Sequence, residues 1–544
     1  MQDEEQVTIA LEANREEKAP SLASSTAKMS IATTASRATG FLRNMALAFA
    51  LGSGVLNDTF STANVMPNII FELLMGGILG SVIIPVYVEY LSKKSDGEAR
   101  HMLSNLTNII FALAAIVSLL GAIFAPFLVH LITIREPSKA TPLMVMFFRV
   151  FAFQIMFYAL AAVFSGVLNA KRRFTVPMAA PILNNTVVII TVLGLYLPFY
   201  KSNPQFALMA LAVGTTAGVV VLALIQVPFV IRAGLQFRPS FNLRHPAVRQ
   251  VARLGLPMLG FAATVQLNNY VIYMLLQSSN GGAMAYQNAL AFFQLPYAIF
   301  AVSITTAIFP ELSRFANSKD FKSFKRTLSL GLRSASFIMI PSAVFLAVMA
   351  KPIIALTLQH GKFDAAGTEI TAAMLATFAL ALLSFSLYNM LTRVYYSLQD
   401  TKTPMIIGAV SVPLQIVFNF LFIDIIGVSG LPLAYGLALT LGVFTQLYLL
   451  RQKIGPLGAS VILKAIIRQL AAVIPAGIAM YLAYRIVESF ALPRMLDLLL
   501  EIIGAATAGF AIYMGLALLL GIKEVDFIKQ ISRRFLRARV KPVL

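Results

Sequence analysis

Apolar residues run along most of this chain in unbroken stretches of roughly 18 or more, the length a helix needs to cross a hydrocarbon core about 30 Å thick. Read against the proline, glycine and charge breaks, they predict about fourteen helices. Their ranges are 28–53, 58–91, 102–133, 143–170, 174–198, 206–232, 247–277, 283–315, 325–358, 367–397, 404–424, 430–451, 460–486 and 495–521. A membrane barrel would show short alternating segments instead, and the chain has none. The pattern is that of an all-α polytopic membrane protein.

Composition agrees. Of 544 residues, 58% are hydrophobic and 12% charged, against about 25% charged in soluble domains. The absence of cysteine excludes disulfides, thiolate chemistry and Cys-based metal sites. The four histidines are scattered without ligand spacing, so no metal or other cofactor is expected. Tryptophan is absent too, which leaves Tyr and Phe to form any interfacial belt.

The net charge of +20 does not point to nucleic acid, because the cations are parcelled into short loops rather than gathered on one face. Loops after even-numbered spans carry Lys93, Lys94 and Arg100; Lys171, Arg172 and Arg173; Arg232, Arg238 and Arg244; Arg314, Lys319, Lys322, Lys325 and Arg326; Lys402; and Arg451 with Lys453. Odd-numbered loops hold isolated cases such as Arg135, Lys139, Lys201, Lys362 and Arg494. By the positive-inside rule this alternation requires an even number of spans with both ends in the cytoplasm. Residues 1–27 are polar and acid-rich and lack the basic start and short apolar core of a secretory signal. They read as a disordered cytosolic tail before an uncleaved first span, and 523–544 reads as a basic cytosolic tail.

The chain repeats itself. Pro85, Pro126 and Pro177, each with similar neighbours, recur as Pro310, Pro352 and Pro404, at offsets of 225, 226 and 227 residues. Six spans are thus followed by six of the same order and sidedness, a parallel repeat enclosing a central cavity of the kind transporters use. This divides the chain into a first lobe, 28–235, a second lobe, 236–455, and an added helix pair, 456–522.

Against this background two cations stand out. Arg37 and Arg43 lie inside the first span, where an unpaired arginine costs about 2.5–3.5 kcal/mol on insertion scales. Six residues apart, they differ by about 120° around the helix and about 9 Å along it, so they can line two levels of one wide cavity. The second half is a control: no charged residue occurs between Leu254 and Gln277. The fold therefore does not demand these arginines, and forked guanidiniums suit a phosphate or pyrophosphate.

Asp58 opens the second span and reads as a cap, an arginine partner or a gating group. Glu72 lies deeper, between Pro67 and the glycines 76, 77 and 80, in a run suited to bending. It is a candidate to pair with Arg43 or face the cavity. The second half offers Gln266, Asn268, Asn269, Gln287, Asn288 and Gln294, which can bind sugar or peptide groups or bridge helices.

Several of these motifs together resemble the MurJ (MviN) family. They are Ser36-Arg37-x-x-Gly40-Phe41-x-Arg43, Asp58-x-Phe60, Pro67-Asn68, Ile84-Pro85 with Glu89-Tyr90, Gly361-Lys362-Phe363, and the run from Tyr396 through Asp400 to Pro404. The resemblance covers essentially all of the chain beyond the N-terminal tail. It implies fourteen spans in two lobes and an inner-membrane flippase for lipid II, the undecaprenyl-pyrophosphate-linked peptidoglycan precursor, with the pyrophosphate held by Arg37 and Arg43. The implied partners are this lipid-linked substrate, membrane lipids and cell-wall synthesis or division proteins; coupling to membrane potential or a cation is open.

The chain also departs from the family pattern. Phe71-Glu72 and Tyr286-Gln287-Asn288-Ala289 stand where further cavity arginines are usual, Asn44 replaces an acid, and Asn419 and Ile423 stand where relatives with a sodium site have acids. The alternatives are a polysaccharide-repeat flippase or cation-coupled drug exporter of the same superfamily, for which Glu72 would be the coupling acid, and a non-transport scaffold.

Overall fold

The computed structural model describes residues 22–525 apart from 77–83, 94, 140, 172, 236–237 and 491–492. Most of both tails, Gly77 and Gly80 lie outside that set, and residues 22–27, expected in the disordered tail, are helical. Among the described residues there is no strand, and helix occupies every one of the fourteen windows. Among the described residues nine stretches are each long and apolar enough to cross a membrane, ten if the helices Ala365–Leu380 and Leu382–Ser397, bent by 48° at their junction, form one span. One of the nine, 402–454, is broken at Gly427–Ser429, and its arms Lys402–Ile426 and Gly430–Ile454 pack on each other. In lipid every backbone N–H and C=O must find its partner inside the segment, which is why apolar windows become helices without exception.

The first helix, Leu22–Leu51, begins earlier than the expected Lys28, since neither glycine nor proline interrupts 21–28. Polar side chains start other helices. Ser95, Asp320 and Asp364 each accept a backbone N–H two or three residues into the helix that follows, satisfying donors that would otherwise be orphaned.

The duplication is visible in local structure. The helices Asp96–Ile123 and Phe321–Val348 both have 28 residues, and each is followed by a one-residue break and a short proline-bearing helix, Ala125–Ile132 or Ala350–Leu358. A π-helical turn, Glu72–Gly76, continues the helix Val55–Phe71; another, Tyr297–Ala301, continues Gly282–Pro296, 225 residues later. Such turns loosen the i→i−4 ladder and are common at functional sites. The expected bend of the second span thus falls on Glu72–Gly76, in a helix already missing one donor at Pro67.

The chain divides into two compact units. One comprises the chain up to Leu47, Ala63–Val129 and Pro142–Ala262; the other comprises Ala48–Thr62, His130–Thr141 and Ala263–Leu544. The core of the first is built from Met102, Leu103, Leu106, Phe164, Val167 and Val230, with a second cluster around Phe71, Ile110 and Ile155. In the second, Leu328, Leu332, Leu391 and Leu450 form one cluster, and Phe293, Phe378, Phe385 and Tyr435 form an aromatic block with ring centroids 5.1–6.5 Å apart. The last two helices, Ala459–Glu488 and Arg494–Leu519, pack on each other and on Phe337 and Ile340.

Candidate functional site

In the first unit, the helix Thr175–Thr191 fixes the segment that carries the two arginines. Buried Asn185 donates its amide to the Ser36 carbonyl at 3.3 Å and to the Thr39 hydroxyl at 3.1 Å. A Cβ on Gly40 would stand 3.5 Å from its Nδ2, an ordinary contact, so the two helices lie side by side here. The contacts to Ser36 and Thr39 thus hold the helical turn that carries Arg37.

Arg37 is exposed and Arg43 half-buried. The Arg43 Nη2 donates to Asn44 Oδ1 at 3.3 Å, Tyr158 lies beside it, and its Nε is buried without a hydrogen-bond partner. Among the described residues no carboxylate pairs with either arginine; Glu72, half-buried on the π turn, does not reach Arg43. An orphaned guanidinium N–H on a membrane helix is a donor held ready for an anionic acceptor.

The second unit places the other expected residues differently. Asp58 does not meet an arginine. Its Oδ1 accepts the Ala283 N–H at 2.8 Å, at the start of Gly282–Pro296, and its Oδ2 lies 3.9 Å from Lys139 Nζ, which also donates to the Ser279 carbonyl at 2.9 Å. The carboxylate therefore caps a helix far away in sequence, at a residue equivalent to its own in the repeat. Its neighbours extend the network: Gln277 donates to the Thr62 hydroxyl at 3.0 Å, and Gln287 to the Ser61 carbonyl at 3.3 Å.

The hairpin tip before Asp58 is seated equally closely. The Ser53 hydroxyl donates to Asp364 Oδ1 at 2.5 Å, and the Lys362 N–H donates to the Phe49 carbonyl at 3.0 Å. Hydrogen bonding from Ser53, then from the Gly367 N–H, holds the Asp364 carboxyl below the usual aspartate range. Two glycines are obligatory here. Gly281, at φ +78°, would put a Cβ 2.4 Å from the Ser53 carbonyl oxygen, and Gly361, at φ +62°, would put one 2.6 Å from that of Phe49. The Gly361-Lys362-Phe363 motif is thus the seat of this tip.

Asn268 and Asn288 are both buried and already partnered. Asn268 Oδ1 accepts the amide of Asn419 at 3.2 Å, and the Asn288 amide lies 3.1 Å from the Met284 sulfur. Asn268 stands 225 residues after Arg43; where the first copy holds an unsatisfied cation, the second holds a neutral amide pair. Residues that sequence reasoning passed over are Lys139, Asn185, Gln277 and Tyr158. Lys139 had carried a signal, as one of few cations in an odd-numbered loop.

These features define a multi-pass helical membrane protein of transporter architecture. Its fold matches that of an inward-facing multidrug resistance MATE family transporter of the MOP superfamily, with a TM-score of 0.60 at 14% identity over 77% of this chain and 95% of that one. The family is more specific. A model of the family "Lipid II flippase MurJ" matches residues 47–500, and the chain belongs to that family; Arg37 and Arg43 lie just before the matched stretch.

Among its relatives are a probable lipid II flippase MurJ of Vibrio cholerae, 28% identical over 75% of this chain and 78% of that protein, and the lipid II flippase MurJ of Burkholderia cenocepacia, 27% identical over 74% and 79%. A solved lipid II flippase MurJ in an inward closed conformation superposes with a TM-score of 0.75, at 23% identity, over 92% of this chain and 99% of that one. With its apolar helices, this membership makes the chain a multi-pass inner-membrane protein.

Proposed function

We propose that this protein flips lipid II from the inner to the outer leaflet of the cytoplasmic membrane by alternating access, with Arg37 and Arg43 holding the pyrophosphate. The observation that carries the reading is the Arg43 guanidinium, which has a buried unpartnered Nε and, among the described residues, no paired carboxylate, in a family of lipid II flippases. A pyrophosphate accepts several charge-assisted hydrogen bonds from forked donors and compensates the cation in return. The apolar windows suggest fourteen crossings, and the loop charges require an even number with both termini in the cytoplasm. On that orientation the seat of the hairpin tip, with Asp58, Ser53 and Asp364, is an outer gate, here shut.

The neutral Asn268–Asn419 pair, with Ile423 one turn on, supports a cycle that does not bind a cation between carboxylates at this place. Complementation tests the assignment. A strain depleted of its own lipid II flippase is expected to be rescued by the wild type and not by Arg43→Ala expressed to the same level. Full rescue by Arg43→Ala would contradict the reading.

A further inference from the structure

The last helix, Arg494–Leu519, buries one stripe at every fourth residue: Glu501, Ala505, Gly509, Tyr513 and Ala517. Half-buried Asp497 extends this stripe by one turn. The stripe packs on Ala459–Glu488, where Met480 lies against Gly509. Leu496, Leu499, Leu500 and Ile503 are exposed instead. Glu501 is therefore a carboxyl on a packing face. It is 4% exposed and lies about 10 Å along the helix from its first residue.

No cation compensates it. Among the described residues neither Asp497 nor Glu501 forms an ion pair, and the Glu501 carboxyl has no hydrogen-bond partner. Asp497 Oδ1 is likewise buried without a donor. The charges that act on Glu501 are those of Asp497 and Glu488, both negative. On Ala459–Glu488, Arg485 is bonded to Glu488 at 2.7 Å, and the Tyr484 hydroxyl donates to Glu488 at 3.4 Å. Ala350–Leu358 also packs on the last helix, and its one ionisable group, Lys351, is held by Glu369. Phe321–Val348 carries its cations in its first half, where Arg333 pairs with Glu524 beyond the other end of the last helix. Arg494 is exposed.

Carboxyls one helical turn apart have Cβ atoms about 5–6 Å apart. Burial and like charge both favour the neutral form of such a pair, and a membrane helix makes an uncompensated charge costlier still. Among the described residues no three His, Asp or Glu side chains are grouped to hold a metal ion. A proton on Glu501 removes one charge from the packing face and supplies the donor that Asp497 Oδ1 lacks. We propose that Asp497 and Glu501 form a proton-binding site, in which Glu501 carries the proton at neutral pH and donates it in a hydrogen bond to Asp497. The site stands apart from Arg37 and Arg43, and its occupancy does not depend on what the protein flips.

The test is modification of the full-length protein in neutral detergent by dicyclohexylcarbodiimide, which reacts with protonated carboxyls in apolar surroundings. Adducts are located by fragment-ion mass spectrometry between about pH 6 and about pH 9. Glu501 is expected to be modified at the acid end and at least about ten-fold less at the alkaline end. Glu369, exposed and paired with Lys351, is expected to stay unmodified. Asp497→Asn removes the neighbouring charge and is expected to move the Glu501 profile down by at least about one pH unit. No adduct on Glu501, an adduct equal at both ends of the range, equal modification of Glu369, or an Asp497→Asn profile superimposable on the wild type would each overturn the site. Should Asp497→Asn fail to fold, the wild-type profile alone decides.

Discussion

At Asp400, burial alone would raise the carboxyl, but the Thr403 hydroxyl and N–H and the Lys453 ammonium outweigh it and hold it down to about 2. These contacts turn the corner between Leu382–Ser397 and Lys402–Ile426, where Gln399 takes a left-handed φ of +60°. The folded value lies below the ordinary aspartate value of about 3.9. Its stabilisation is therefore complete above that value and is lost as pH falls from there towards 2. Asp400→Asn is expected to lower stability by about 1–2 kcal/mol at pH 7, read as a lower Tm in detergent, with the difference shrinking at acid pH. A difference independent of pH would show that the charge is not what matters. The motif around Asp400, quoted above for its resemblance to a family, is on this view a structural corner.

Among the elements, the last two helices are fastened by an ion pair that sequence reasoning did not anticipate. Arg333, in the middle of Phe321–Val348, meets Glu524 at 2.9 Å, and Glu524 is only 3% exposed. Gln469 from Ala459–Glu488 donates to the Arg333 carbonyl at 3.2 Å, and Tyr513 from Arg494–Leu519 donates to that of Phe337 at 3.0 Å. Removing one partner of a buried pair leaves a charge without compensation, so Glu524→Ala is expected to cost about 3 kcal/mol and to expose the last helices to limited proteolysis. Wild-type protease resistance would contradict the fastening.

The helices themselves were legible in the sequence because lipid leaves apolar segments one backbone solution. The repeat was legible because three prolines recur at nearly constant offsets, two of the pairs in the first turns of corresponding helices. What the pattern did not carry is which way a polar side chain turns. Asn268 and Asn288 read equally as substrate-binding groups or as helix bridges, and only the fold shows that they face Asn419 and Met284. Asp58 read as a cap, an arginine partner or a gating group; it caps a helix, but one that lies 225 residues on, and no local pattern encodes that. Arg333 did leave a trace, a lone cation inside an apolar window, of the same kind that drew attention to Arg43.

For the whole molecule, the alternating access proposed above needs the hairpin seat to open. The chain has no cysteine, so an engineered pair can be read without background. The contact between Ser53 and Asp364 side chains makes Ser53→Cys with Asp364→Cys the pair to crosslink, by oxidation or with a short thiol-reactive linker. Oxidation is expected to stop rescue of the depleted strain and reductant to restore it; rescue by the fully oxidised protein would mean the seat is not a gate.

The substrate assignment meets its most direct test in proteoliposomes holding fluorescent lipid II, by following the fraction that an external quencher reaches. Wild-type protein is expected to move lipid II to the far leaflet, and Arg43→Ala to leave it near the protein-free level while retaining the wild-type Tm. Equal movement by the two proteins, or none by the wild type, would contradict a pyrophosphate lipid carried on Arg43.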